Sequence, residues 1–418
     1  MSVHGIVRVP GDKSLSHRAL MFAALADGSS RVRGLLDSQD VRSTASALAA
    51  LGVLVEWRGD EALIGGRGRR GLRAPGTDLD CGNSGTTARL LAGIVAGHPF
   101  AARFVGDESL ARRPMKRIKE PLEAMGATVE LEHGDGLPMT VRGNVLHPIV
   151  WRTPTASAQT KSAILLAALV AGVRAEVQEP VPSRDHTERL LTAMGATVRT
   201  VDGAVTLEPA EGLQPLDITV PGDPSSAAFL VALALLAENG EVELRDVGLN
   251  ARRTGFFEVA LEMGASLSWD ADHEVAGEPV GIVRARSSHL RGIMVDGNDV
   301  PAMIDELVLL ACLATRAEGE TIVSGAQELR VKESDRITAV VQNLRTLGVD
   351  AEELTDGFAV RGSKRPLRGT VRTYGDHRVA MAFGVLARLP GNDIRIDDAA
   401  CVAVSYPDFW NDLDRLAR

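Results

Sequence analysis

At 418 residues the chain exceeds what one hydrophobic core usually serves, about 250–300 residues, so two domains are expected. The composition is globular, 45% hydrophobic and 24% charged, and aromatics at 4% leave Ala, Leu and Val to build the core. A net charge of −9 argues against a general nucleic-acid or acidic-membrane binder. It leaves room for a small anionic substrate, which local charge decides.

Cys81, Cys312 and Cys401 lie far apart, with neither zinc-ligand nor redox spacing. A sparse, odd count fits a reducing cytoplasm, which is the expected location. Asp12, Lys13, His17 and Arg18 interrupt the N-terminus before any long apolar run, so no signal peptide is read there. The longest apolar runs, 163–173 and 227–237, have 11 residues each. A membrane span needs about 20.

One phrase recurs along the chain: an amphipathic helix, then Leu/Met-Gly-Ala/Val, then a strand. Its glycines are Gly52, Gly126, Gly195, Gly264 and Gly348, separated by 74, 69, 69 and 84 residues. Glycine just past a helix is the usual left-handed cap, and near-constant spacing marks a repeat. Each unit opens with a short strand, a polar turn and an Ala/Leu-rich helix. The openings lie at 7–14, 79–86, 151–159, 218–226, about 294–306, and 371–378, which makes six units. The sixth ends in a helix near 409–416 without a closing Gly and strand, so an N-terminal strand over 4–10 is expected to complete the C-terminal domain. Three units per domain places residues 1–11 with 223–418 in one domain and 12–222 in the other. A protein-binding solenoid is the alternative, but its common periods are shorter and its turns more alike.

The turns carry the chemistry. A helix start has unpaired N–H groups and partial positive charge, which suit an anion. Gly11-Asp12-Lys13-Ser14, with Arg18 one turn on, resembles a P-loop superficially but lacks the glycine before lysine that nucleotide binding requires. Gly82-Asn83-Ser84-Gly85-Thr86 lets a ligand approach backbone, or is a plain helix cap. Arg112-Arg113-Pro114-Met115-Lys116-Arg117 is a cationic cluster or a solvated basic face. Ser157-Ala158-Gln159-Thr160-Lys161 is another polar helix start, and Ser183-Arg184-Asp185-His186 follows a Pro-rich bend. Asp305 stands beside the apolar stretch 307–314, where a carboxylate can act as a base, or simply favours a helix dipole. In Arg330-Val331-Lys332-Glu333-Ser334-Asp335-Arg336, a helix would put Lys332 and Arg336 on one face with Glu333 beside them; a salt-bridged exposed helix reads the same. Asp376-His377-Arg378 forms the last polar turn.

Together these phrases resemble the enolpyruvyl transferases, and within them the branch acting on shikimate-3-phosphate. The resemblance spans almost the whole chain in the family's order. It implies an α/β fold of two inverse, barrel-like domains, each of three βαβαββ-type repeats, with the active site in the cleft between them. Shikimate-3-phosphate would be held by Lys13, Ser14, Arg18, Ser157, Gln159, Arg184, Asp305 and Lys332. Phosphoenolpyruvate would meet Lys13, Asn83, Gly85, Thr86, Arg113, Gln159, Arg336 and Arg378. Asp305 and Glu333 would be the acid–base pair, with Lys13 a further catalytic group. Gly85 is where glyphosate fits in sensitive members, so a glyphosate target is implied. The chain departs from the family at Val404, where many members have lysine, at Glu328, where some have Asn, and near His186, where some have Tyr.

The implied reaction is addition then elimination, with no metal and no organic cofactor. The substrates are the only partners expected, and a monomer is the expected state. The sister enzymes acting on UDP-N-acetylglucosamine carry a cysteine before their Arg-Pro, whereas 105–112 contains none.

Overall fold

The computed structural model describes residues 1–417. The chain folds into two compact units. One comprises Met1–Pro10, Pro221–Glu274 and the chain from Pro279 onward; the other comprises Gly11–Val220 and Val275–Glu278. The turn at 275–278, which the sequence-based division leaves with the C-terminal domain, therefore joins the other unit. Ala276 and Gly277 both have positive φ (50° and 79°), the pair of left-handed residues that a two-residue hairpin turn requires. Arg189 donates to the Gly277 carbonyl at 2.5 Å, and His186 Nδ1 lies 2.7 Å from Glu278 Oε1.

Among the described residues six sheets answer to the six sequence units: five have four strands and the last has two. The second unit shows the pattern. Leu79–Asp80 lies parallel to Ala101–Val105, which pairs antiparallel with Met139–Arg142, and that strand pairs with Thr128–Leu131. Helices Gly85–Ala96 and Lys116–Met125 fill the connections. All five phrase glycines have positive φ, from 83° to 116°. At each, the glycine N–H bonds the carbonyl three residues back and the next N–H bonds the carbonyl five back, as in Gly126 to Glu123 and Ala127 to Leu122. This is the double bond of a Schellman cap, which explains why the phrase recurs.

The repeat boundaries cross the sequence order at two seams. Ser2–Arg8 pairs parallel with Asn239–Gly248, so the N-terminal strand completes the fourth sheet, not the two-stranded sixth. Val3 also bridges Ala417 at the end of the sixth unit. Asp217–Thr219, which the sequence assigns to the opening of the fourth unit, instead pairs with Ser29–Arg33 and completes the first sheet. A strand's partner is set by which sheet edge lies within reach, and that is not a local property of sequence.

In each unit three apolar helices form the interior. They are Lys13–Leu25, Gly85–Ala96 and Ala158–Ala171 in one, and Pro224–Leu236, Leu307–Ala314 and His377–Ala387 in the other. Ala158–Ala171 is buried from Thr160 through Val170, as expected of a helix apolar on every side. Its neighbour Gly85–Ala96 approaches so closely that a Cβ on Gly93 would sit 2.3 Å from the Ala163 carbonyl oxygen. Among the described residues no helix is long and apolar enough to cross a membrane.

Candidate active site

Within the Gly11–Val220 unit, the first turns of the three interior helices are bonded to one another. Asp12, Ser84 and Ser157 cap them, accepting from Leu15, Thr87 and Thr160 N–H respectively. A hydroxyl chain runs from His17 Nδ1 to Thr44 Oγ1 (2.7 Å), on to Thr87 Oγ1 (2.6 Å) and to Ser84 Oγ (2.8 Å). Gln159 Nε2 donates to Thr86 Oγ1 at 2.9 Å, tying the second helix to the third. Three positive helix ends thus share one neighbourhood.

The cations there are held in place. Lys13 Nζ lies 3.2 Å from Asp40 Oδ2. Arg18 is buried and donates to Ser14 O (3.0 Å), Thr187 Oγ1 (2.8 Å) and Ser162 Oγ (3.0 Å). Burial lowers its pKa to about 10, against the pull of Glu188 and Asp12, so it stays charged at neutral pH. Arg113 donates to the backbone and side-chain oxygens of Asn83 at 3.1 and 2.6 Å. The arginine of the basic run is therefore fixed on the glycine-rich turn. Arg184 is half-buried in the loop before helix His186–Ala193.

Arg89 escapes the sequence reading. It donates to Gln159 Oε1 at 2.6 Å and to Pro114 O at 3.1 Å. A Cβ on Gly85 would lie 2.7 Å from its Nη1 and 3.6 Å from Arg113 Nη1, so both guanidiniums border that glycine. The available signal is an arginine inside an apolar helix, four residues after Gly85 and hence on the same face.

His17 belongs to the same neighbourhood but carries no charge. Burial, then Lys13 and Arg18, drive its pKa far below the ordinary value. Its ring resonances are expected to stay at neutral-imidazole positions as pH falls from about 8 through the ordinary histidine value of about 6.5. A titration centred near the ordinary value of about 6.5 would contradict this environment.

The other unit holds Asp305, Glu333 and Asp376. Arg336, 1% exposed, donates to Asp376 (2.8 and 3.3 Å), Glu333 (2.7 Å) and Asp305 (3.3 Å). Burial would lower its pKa, but Asp376, Glu333 and Asp305 together raise it. Arg378 Nε lies 3.8 Å from Asp305 Oδ1, and its Nη1 donates to Glu306 at 3.3 Å.

Two sequence expectations are corrected here. Lys332 and Arg336 do not share a helix face: Lys332 is the extended residue ending the 3-10 helix Gln327–Val331, and Asp335 caps the helix Arg336–Thr346 by accepting from Thr338 N–H. Glu333 reaches Arg336 from that turn. Asp305 does not face apolar surroundings; its near neighbours are the guanidiniums of Arg336 and Arg378. Of the departures, Glu328 lies in the 3-10 helix, Val404 ends Ala400–Val404, and His186 is buried against Glu278.

The fold is the α/β fold of the enolpyruvyl transferases. The enolpyruvyl transferase NikO from Streptomyces tendae shares the fold, with a TM-score of 0.78 at 17% identity over 99% of this chain and 95% of that one. The family model for EPSP synthase (3-phosphoshikimate 1-carboxyvinyltransferase) matches residues 1–413, and the chain belongs to that family. A 3-phosphoshikimate 1-carboxyvinyltransferase of Sulfurihydrogenibium sp. (strain YO3AOP1) is 46% identical over 100% of this chain and 98% of its own. One from Xylella fastidiosa (strain Temecula1 / ATCC 700964) is 47% identical over 97% and 90%. The EPSP synthase structure from Acinetobacter baumannii superposes with a TM-score of 0.86 at 39% identity, covering 99% of this chain and 96% of that one.

Proposed function

We propose that the chain transfers the enolpyruvyl group of phosphoenolpyruvate to the 5-hydroxyl of shikimate-3-phosphate and releases phosphate. The observation that carries this reading is the meeting of both candidate acid–base carboxylates, Asp305 and Glu333, on one buried guanidinium. Their shared anchor fixes the spacing between a group that takes a proton and a group that gives one.

In this reading the polar residues divide between two substrates. Arg18, Lys13, Ser14, Ser157, Gln159 and Arg184 bind shikimate-3-phosphate, with Lys332 near its ring. Arg113, Asn83, Gly85, Thr86, Arg336 and Arg378, with Lys13 and Gln159 reaching both ligands, bind phosphoenolpyruvate, and Arg89 joins them beside Gly85. Guanidinium forks match phosphate and carboxylate and hold two anions that would otherwise repel. Carbon 3 of phosphoenolpyruvate gains a proton from Glu333, and carbon 2 becomes cation-like. The 5-hydroxyl attacks carbon 2 as Asp305 removes its proton. The tetrahedral intermediate then loses phosphate as carbon 3 gives its proton back. Lys13, its Nζ steadied by Asp40, and Lys332 are the alternative donors.

Phosphate release should require both substrates together and match the enol ether formed. Absence of release with both present would overturn the reading. Gly85→Ala tests the phosphoenolpyruvate half. The new methyl meets the flexible end of Arg89, not backbone, so stability should change by less than about 1 kcal/mol. The KM for phosphoenolpyruvate should rise about tenfold, since a small displacement of an anion clamp is costly. An unchanged KM would remove Gly85 from that site.

A further inference from the structure

We infer that Glu179, which touches neither proposed substrate in this reading, is the positioning residue that sets the shikimate-3-phosphate half-site. The inference rests on the function proposed above. Glu179 follows the strand Ala175–Gln178 and its side chain is 3% exposed. Its two oxygens divide their work. Oε1 accepts from Ser157 N–H at 2.9 Å. Oε2 accepts from Ser183 N–H (3.2 Å), Ser183 Oγ (2.8 Å) and Lys161 Nζ (2.8 Å). One carboxylate therefore fixes the cap of the helix bearing Ser157 and Gln159, and also the loop bearing Ser183 and Arg184.

Lys161, 2% exposed, locks this carboxylate from inside and also binds Glu188 at 2.8 Å. Burial would lower its pKa, but Glu188 and Glu179 outweigh burial and raise it. Next to these residues in sequence, Ser162 and Thr187 hold each other at 2.7 Å and both receive Arg18. The buried charges thus run beneath Arg18, Ser157 and Arg184 as one support. A buried ion pair adds little net stability but can specify geometry, and a binding group is only as well placed as the residues supporting it.

Glu179→Gln keeps the shape but gives one end an amide that cannot accept. Lys161 claims the remaining oxygen, so the amide faces Ser157 N–H. The dissociation constant for shikimate-3-phosphate, measured by calorimetry without phosphoenolpyruvate, should rise about tenfold, the scale of one charge-assisted hydrogen bond. The kcat should stay within about twofold while the KM for shikimate-3-phosphate rises with its dissociation constant, the signature of lost uniform binding. Ser183→Ala removes only the hydroxyl bond and should weaken the same constant about threefold. A folded Glu179→Gln variant of parental affinity overturns the inference. So does parental affinity in Ser183→Ala should the first variant fail to fold. A parent chain that binds no shikimate-3-phosphate contradicts the proposed function itself, which separates the two failures.

Discussion

Asp305→Ala is expected to lower kcat about a thousandfold, within the range seen for loss of a positioned general base. The carboxylate lies 3.3 Å from Arg336 and 3.8 Å from Arg378, and its removal leaves Arg336 with Asp376 and Glu333. The fold should therefore persist, and shikimate-3-phosphate should still bind within about tenfold, because Asp305 contributes one contact among several. Continuous phosphate release measures the first quantity and calorimetry the second. Parental kcat in this variant would remove Asp305 from the chemistry.

Arg336→Met should cost more in stability than any surface change. It strands Asp376, which is fully buried, together with Glu333 and Asp305. Removing one member of a buried ion network costs about 3–5 kcal/mol. The pH dependence gives the cause. Burial alone would raise Asp376, but Arg336 overrides it and holds the carboxyl below its ordinary value. In the parent that contribution is present above about pH 4 and is lost as pH falls through the lowered folded value. Without Arg336, burial raises the carboxyl instead, so the folded state binds a proton more readily than the unfolded one. The variant's deficit should then shrink from pH 7 toward pH 4. Urea midpoints across that range decide it, and a deficit that grows on acidification would contradict the pairing.

How much of the fold and site is legible in the sequence depends on whether the physics is local. The five helix-ending glycines are legible, since a left-handed cap needs glycine wherever it occurs, and they expose the repeat without any coordinates. The polar helix starts are legible for the same reason. Partners distant in sequence are not. The sequence sets Asp305 beside residues 307–314, whereas its neighbours come from Arg336 and Arg378. Charge alternation over 330–336 fits a helix as well as it fits a turn closed by the cap at Asp335, so Lys332 is expected on a helix it does not join. Arg89 is one charge in a core helix until Gln159 and Pro114 are seen against it. The strands at 2–8 and 217–219 change sheets because pairing is settled by tertiary reach.

The most direct test is a crystal structure of the chain with shikimate-3-phosphate and a non-reactive phosphoenolpyruvate analogue. Lys13, Arg18, Arg113, Asp305, Arg336 and Arg378 should each lie within hydrogen-bonding distance of one of the two ligands. Ligands bound away from these residues would contradict the account.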